Sequence, residues 1–74
     1  MTQSEALQAI QSEASRAAGK HAAFNSFHEG YAVILEELDE VWEEVKKKVV
    51  DKEELKKEII QVGAMAVRFL ADLH

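Results

Sequence analysis

Hydrophobic side chains recur at helical spacing in three separate segments of this chain. The first segment has Leu7, Ile10, Ala14 and Ala17; the second has Tyr31, Ile34, Leu35, Leu38, Val41, Trp42, Val45 and Val49; the third has Leu55, Ile59, Val62, Met65, Ala66, Phe69 and Leu73. Intervals of three and four residues place such positions on one face of an α-helix, and no proline interrupts the pattern. The sequence therefore predicts an all-α fold of three amphipathic helices, without strands.

Residues that favour helix ends give the expected limits of the three helices. Thr2 and Ser26 each begin the Ser/Thr-x-x-Glu pattern of a capping box, and Asp51 can cap the third helix. We expect the first helix over residues 3–18, ended by the glycine that follows. The second helix is expected over residues 27–48, and the third from its cap to near the C-terminus.

The connection between the second and third helices indicates how they pack. About three residues separate them, and so short a connection makes antiparallel neighbours. We expect residues 1–74 to form one domain, in which this helical hairpin packs with the N-terminal helix.

The chain is too small to bury a sufficient core alone. At 74 residues, folding buries only about 60% of the surface that the unfolded chain exposes, and without cysteine no disulfide can add stability. Ile60, Ala64 and Val67 form a second apolar strip on the third helix, where Gly63 permits close helix approach. We therefore expect a homodimer or tetramer in which this segment meets its symmetry mate and completes a four-helix-type bundle.

Charge and hydropathy exclude several classes of function. Nine Lys and Arg residues against fourteen Asp and Glu residues give a net charge of −5, which repels nucleic acid polymers. The apolar stretches are far shorter than the roughly 20 residues that span a bilayer. The N-terminus lacks the basic and apolar regions of a secretory signal. These features predict a soluble, cytoplasmic protein without nucleic acid or membrane partners.

One arc of the second helix is strongly acidic. Its members are Glu29, Glu36, Glu37, Glu40, Glu43 and Glu44. No Lys or Arg lies between Glu29 and Val45, so pairs three or four residues apart, such as Glu37 with Glu40, repel each other. The arc is either a solvated surface or one side of a site that binds a cation.

The third helix adds a carboxylate at an unusual position. Glu58 lies at the edge of the apolar stripe, where burial would penalise its charge unless a cation or a donor lies close. A Lys or Arg from another helix, contact with water, or a metal ion would each satisfy it. In an antiparallel hairpin turning near Val50, Glu40 and Glu58 come level, as do Glu37 and Gln61. Whether the four converge depends on helix rotation, which the sequence leaves open.

The candidate ligands are all oxygen atoms, which favours a hard cation. Mg²⁺ bound by a few carboxylates, with other positions open to water and phosphate, is the usual arrangement, and Mn²⁺ would also serve. Zn²⁺ is disfavoured because the chain has no cysteine and its three histidines lack a paired spacing.

The acidic segments resemble a known family. Glu36-Glu37-Leu38-Asp39-Glu40, followed eighteen residues after its last member by Glu58-Ile59-Ile60-Gln61, is similar to the EExxE and ExxD motifs of the MazG-like all-α nucleotide pyrophosphatases. The similarity extends over residues 24–72. It includes His28-Glu29-Gly30-Tyr31 before the acidic motif and the small residues Gly63-Ala64-Met65-Ala66 after it. The resemblance implies an oligomer that cleaves nucleoside triphosphates, with Mg²⁺, into the monophosphate and pyrophosphate.

The resemblance also implies roles for individual residues. Glu37, Glu40 and Glu58 would hold the metal, with Gln61 as a fourth ligand, and Glu36 would act nearby as an outer ligand or as a base that orients water. Glu36 and Glu37 are thus the candidate catalytic residues. Gln61 departs from the family pattern, which has Asp there, so the site has one negative charge fewer and should hold Mg²⁺ more weakly. A non-catalytic helical interaction protein that retains a degenerate site is therefore the alternative.

Basic residues are the candidates for contact with a triphosphate. They are Lys46, Lys47, Lys48, Lys52, Lys56, Lys57 and Arg68. A lysine cluster at a helix C-terminus is equally explained by the helix dipole and by solubility. The sequence alone does not choose among them.

Overall fold

The computed structural model describes residues 1–74 and contains three helices and no strand. Helix α1 spans Gln3–Lys20, α2 spans Phe27–Val45 and α3 spans Lys52–Asp72. The predicted all-α class and the number of helices are confirmed. No helix has an apolar segment long enough to cross a membrane.

The predicted caps begin all three helices. Thr2 forms a complete capping box with Glu5, and Asp51 accepts hydrogen bonds from the backbone of the first turn of α3. Ser26 Oγ accepts from the Glu29 backbone at 3.1 Å, but the Glu29 carboxylate turns to the Asn25 N–H at 2.8 Å instead of to the cap residue. The capping box predicted for α2 is therefore only half formed.

Two predicted helix ends are wrong. Helix α1 continues to Lys20 because Gly19 keeps a negative φ and remains helical. Helix α2 ends at Val45 instead of residue 48, so that residues 46–51, twice the expected number, connect it to α3. A further turn of α2 would bury nothing, since Val49 is 83% exposed, and packing supplies most of the stability of a helix in a protein.

Helix α3 lies between the other two helices. It packs against both α1 and α2, which do not pack against each other. Gly30, early in α2, lies against Phe69, late in α3, whereas Glu40 meets Glu58 near the other ends. Helices α2 and α3 are therefore antiparallel, as predicted.

Small residues allow the helices to approach closely. A Cβ atom on Gly30 would lie 2.5 Å from Phe69 Cδ2, and one on Gly63 would lie 2.8 Å from Ile10 Cδ1. The absence of a side chain at Gly30 therefore lets α2 and α3 approach closely. At Gly63 the neighbour is α1 of the same chain.

The second apolar strip of α3 is therefore largely covered within the chain. Ala64 is fully buried in the core with Ala14, Ala17, Phe24 and Met65. Helix α1 thus covers the middle of this strip, whereas Val67 is exposed, and contact of this segment with a symmetry mate stays a prediction.

The rotation of α2 leaves much of its apolar surface uncovered. Glu37 and Val33 turn toward α3 and are half-buried, and Val41 is buried. On the outer side lies an exposed apolar strip made of Phe27, Tyr31, Leu35, Leu38, Trp42 and Val45. Single exposed apolar residues are ordinary, but a continuous run along one helix marks an interaction surface.

Candidate metal centre

Three carboxylates from α2 and α3 converge. The ligand oxygens of Glu37, Glu40 and Glu58 all lie within 4.8 Å of one another. Glu37 and Glu58 are half-buried and Glu40 is exposed, so the group opens to solvent on one side. We call these residues the acidic trio. The antiparallel packing of the hairpin and the rotation of α2 bring them together, as their register had suggested.

The environment of Glu37 disfavours its ionised form. Burial raises the pKa of Glu37 from 4.5 to about 7, and the charge and hydrogen bond of Glu40 act in the same direction. The charges of Glu58 and Glu36 add to this effect. The part of this rise that comes from the neighbouring carboxylates would favour a positive charge placed here.

Glu58 shows the same behaviour from the opposite helix. Burial is the main cause that raises the pKa of Glu58 above its usual value. The hydrogen bond with Glu40 and the charge of Glu40 raise it further. Glu54 and Glu44 raise it further by charge repulsion. No Lys or Arg nitrogen lies within 4.0 Å of Glu58, because the five ion pairs of the chain involve other carboxylates. A basic partner for Glu58, one of the alternatives considered from the sequence, is therefore absent.

The donor set fits a hard divalent cation. Three carboxylates offer oxygen ligands with up to three negative charges, and the exposed side leaves room for water and for phosphate oxygens. A cation among them would relieve the repulsion that raises the two pKa values. Zn²⁺ would lack its usual nitrogen and sulfur ligands here.

Glu36 is not one of the converging carboxylates, and Gln61 follows Glu58 by one turn of α3. Glu36 is exposed and acts on Glu37 through its charge. Gln61 is half-buried and lines a cleft together with Glu37. Its side chain also helps to lower the pKa of Glu13, which two hydrogen bonds from Arg16 bring to about 2. The roles of Gln61 as a fourth ligand and of Glu36 as a base stay predictions.

A polar cleft adjoins the trio. It has a volume of about 450 Å³ and lies between α1, the 21–25 connection, α2 and α3. Its polar lining consists of Arg16, His21, Asn25, Glu29, Glu37, Gln61 and Arg68. A cleft of this volume falls within the range of small-molecule sites. Since Glu37 belongs to both features, a ligand in the cleft would reach the acidic trio.

The basic candidates from the sequence separate into two groups. Lys46, Lys47, Lys56 and Lys57 each pair with a glutamate three residues earlier on their own helix or at its end. These exposed pairs are surface features, and Lys48 and Lys52 are likewise exposed. Arg68 alone among the candidates lines the polar cleft.

Sequence reasoning missed the contribution of α1 to the site. Arg16 and His21 line the cleft, but nothing in the helical pattern showed which side of the hairpin α1 would cover. Glu54 and Glu44 could have been found, because each lies four residues, about one helical turn, from a trio member.

Comparison with known proteins adds no identification. No family model, no curated protein and no solved structure matches this chain at a significant level.

Proposed function

We propose that this protein is a Mg²⁺-dependent nucleoside triphosphate pyrophosphohydrolase of the MazG-like type, with Mn²⁺ as a possible substitute. The observation that carries the proposal is the convergence of the acidic trio, with oxygens within 4.8 Å, beside a cleft of about 450 Å³. The motif resemblance described above supplies the reaction class.

The proposed reaction needs a hydrolytic water and a stabilised leaving group. Water attacks the α-phosphorus, the bond from that phosphorus to the bridging oxygen breaks, and the products are the monophosphate and pyrophosphate. When bound, the metal neutralises phosphate oxygens and lowers the pKa of coordinated water. Glu37, Glu40 and Glu58 hold the metal from two helices, and Gln61 offers a neutral oxygen.

Two carboxylates are placed to handle the proton of the attacking water. Glu37 belongs to the trio and also lines the cleft, so it would contact both a metal held by the trio and a ligand in the cleft. Glu36 is the next residue and is exposed to water. We assign Glu36 the role of orienting or deprotonating the water, because it adjoins Glu37 along α2 and is open to solvent.

A turnover assay tests this proposal. The purified protein is incubated with Mg²⁺ or Mn²⁺ and a panel of ribo- and deoxynucleoside triphosphates, and the products are separated. We expect monophosphate and pyrophosphate from the wild type, and none from Glu58→Gln. Asp39→Asn, an equal charge change at an exposed neighbour outside the trio, is the matched control and should remain active. Absence of turnover with either metal would refute the hydrolase.

The alternative is a non-catalytic helical interaction protein. The specific observation in its favour is the exposed apolar strip of α2, on which Trp42 is 58% and Tyr31 is 63% exposed. The neutral Gln61 also weakens any metal site. Inactive protein that still assembles through this strip would support the alternative.

Either function includes assembly with a second copy of this chain. A folded monomer of this mass exposes about 4,600 Å², whereas this chain exposes 5442 Å². The excess is close to the roughly 800 Å² that each partner buries in a standard interface. Beside the apolar strip lies a hollow lined only by Tyr31, Ile34, Ala66, Phe69 and Leu70. We therefore assign the dimer contact to the outer face of α2 and the adjoining part of α3.

The oligomeric state tests this assignment. Sedimentation of the wild type should give a dimer or tetramer, and Trp42→Glu should shift it toward monomer. Lys48→Glu, a substitution at an exposed position after α2 ends, serves as the control. A wild type that is monomeric at high concentration would refute the assembly.

A further inference from the structure

Arg68 is the only charged side chain buried in the core. It is 6% exposed, and its guanidinium lies 4.5 Å from the centroid of the Phe24 ring. Nη2 donates to the Ala22 carbonyl at 3.0 Å, and Nη1 makes a long contact of 3.6 Å with Met65 Sδ. Nε has no partner. The protein thus satisfies only part of this donor set.

The positive charge of Arg68 has no carboxylate partner. All five ion pairs of the chain lie elsewhere, and no carboxylate oxygen comes within 4.0 Å of its guanidinium. Asp72, one turn further along α3, instead accepts from the Phe24 N–H at 3.1 Å. Of the fourteen acidic residues, Glu29 and Glu37 line the same cleft as Arg68, but neither forms an ion pair with it. A buried charge without a partner is costly, so an anion should be held here at some stage of function.

Packing alone does not explain an arginine at this position. The contact with the Ala22 carbonyl needs a single donor, which a neutral amide side chain would supply. The methylenes of the side chain would be replaced equally well by Met or Leu. What a cation adds is the interaction with the Phe24 ring and attraction for negative charge.

The position of Arg68 connects it to the acidic trio. Glu58, Gln61, Met65 and Arg68 follow one another at intervals of three and four residues and share one face of α3. The guanidinium reaches back to Met65, about 10 Å along the helix axis from Glu58 at 1.5 Å per residue. Gln61 and Arg68 both line the polar cleft. An anionic ligand in the cleft can therefore lie between a metal at the trio and Arg68.

We propose that Arg68 forms an anion subsite that holds a phosphoryl group in the polar cleft, and that it does so without metal. As a substrate subsite the assignment rests on the proposed function, but the binding of a phosphoryl anion does not require turnover. Arg68 is on this view a binding residue, which lowers the KM for the nucleotide. The cation–π contact with Phe24 and the bond to Ala22 hold the guanidinium in place before the ligand arrives.

Pyrophosphate in EDTA is the probe that separates this subsite from the metal centre. Calorimetry at about 0.15 M salt, where remote surface charges are screened, measures its dissociation constant. We expect Arg68→Met to weaken binding at least about tenfold, the loss typical of one charge-assisted contact. Lys56→Met, with the same charge change on an exposed side chain, should stay within about twofold. Equal losses in both variants, or no binding by the wild type, would overturn the subsite.

Two further measurements keep the test decisive. If Arg68→Met fails to fold, the Nε–H resonance of Arg68 is followed in the wild type during the pyrophosphate titration. We expect a saturable shift of the Nε–H resonance with the same midpoint as the calorimetric titration, and an unmoved resonance would overturn the proposal.

Glu58→Gln should bind pyrophosphate in EDTA as tightly as the wild type. Pyrophosphate binding by a wild type that shows no turnover would refute the hydrolase and leave the subsite standing.

Discussion

Replacing Glu37 with Gln should change the stability of the protein in opposite directions with and without Mg²⁺. In EDTA at pH 8, the ionised Glu37 is destabilised in the folded chain first by burial and then by repulsion from Glu40 and Glu58. A pKa raised from 4.5 to about 7 corresponds to about 3 kcal/mol at full ionisation. Solvent reaches the exposed Glu40 and screens part of this energy, so we expect Glu37→Gln to stabilise the metal-free fold by about 1–2 kcal/mol.

Mg²⁺ should reverse the order of the two proteins. Metal at a hundredfold excess over its dissociation constant stabilises the wild type by about 2.7 kcal/mol, which exceeds the repulsion that Glu37→Gln removes. The variant lacks one charged ligand and should gain much less. For a domain of this size, about 1 kcal/mol corresponds to roughly 4–8 °C in Tm, so thermal unfolding monitored by circular dichroism resolves both effects.

The control and the refuting results are specific. Asp39→Asn makes the same charge change next to the trio and should leave the metal-dependent shift intact. If Glu37→Gln is less stable than the wild type in EDTA, the repulsion inferred for the trio does not exist. If Mg²⁺ raises Tm equally in both proteins, the trio does not bind it.

Three other predictions concern stability and are checked by chemical denaturation. Because the folded chain retains protons on its raised carboxyl groups, the free energy of unfolding in EDTA should fall as the pH rises from about 4.5 to about 7, and a slope of the opposite sign would contradict the pKa analysis. Gly30→Ala should cost about 1 kcal/mol or more, because its Cβ meets the rigid ring of Phe69, whereas Gly63→Ala should cost less, because Ile10 can rotate away. Asp51→Ala should cost about 1 kcal/mol through the loss of two bonds to the first turn of α3, and an unchanged stability would show that the cap is unimportant.

The helices themselves could be predicted from the sequence because their signals are local. The N-cap side chains of Thr2, Ser26 and Asp51 accept hydrogen bonds from the first turn of their own helices. The apolar periodicity is likewise contained within each segment. The end of α2 could not be predicted in this way. Whether another turn forms depends on whether α3 offers a surface for it, and Val49 finds none.

For the acidic trio, the sequence predicted only which residues lie at the same height along the hairpin. The spacing from the turn brought Glu40 level with Glu58, but the helical wheel placed Glu37 away from the centre of the apolar stripe. Helix rotation settled the question, and rotation is decided by how both faces of α2 are covered. The side of the polar cleft formed by Arg16 and His21 could not be predicted, since it depends on where α1 packs against the hairpin.

The metal site and the proposed dimer face are two results of the same rotation. If α2 turned to bury Trp42 and Leu38 against α3, Glu37 would swing toward solvent and the trio would open. In the structure Glu37 faces inward instead, at the expense of apolar surface on the outside. This rotation destabilises an isolated chain in two ways. It brings carboxylates together, and it leaves hydrophobic area exposed. A cation at the trio would compensate the first loss and a second copy on α2 would compensate the second. Binding at either place would then favour the rotation that the other requires.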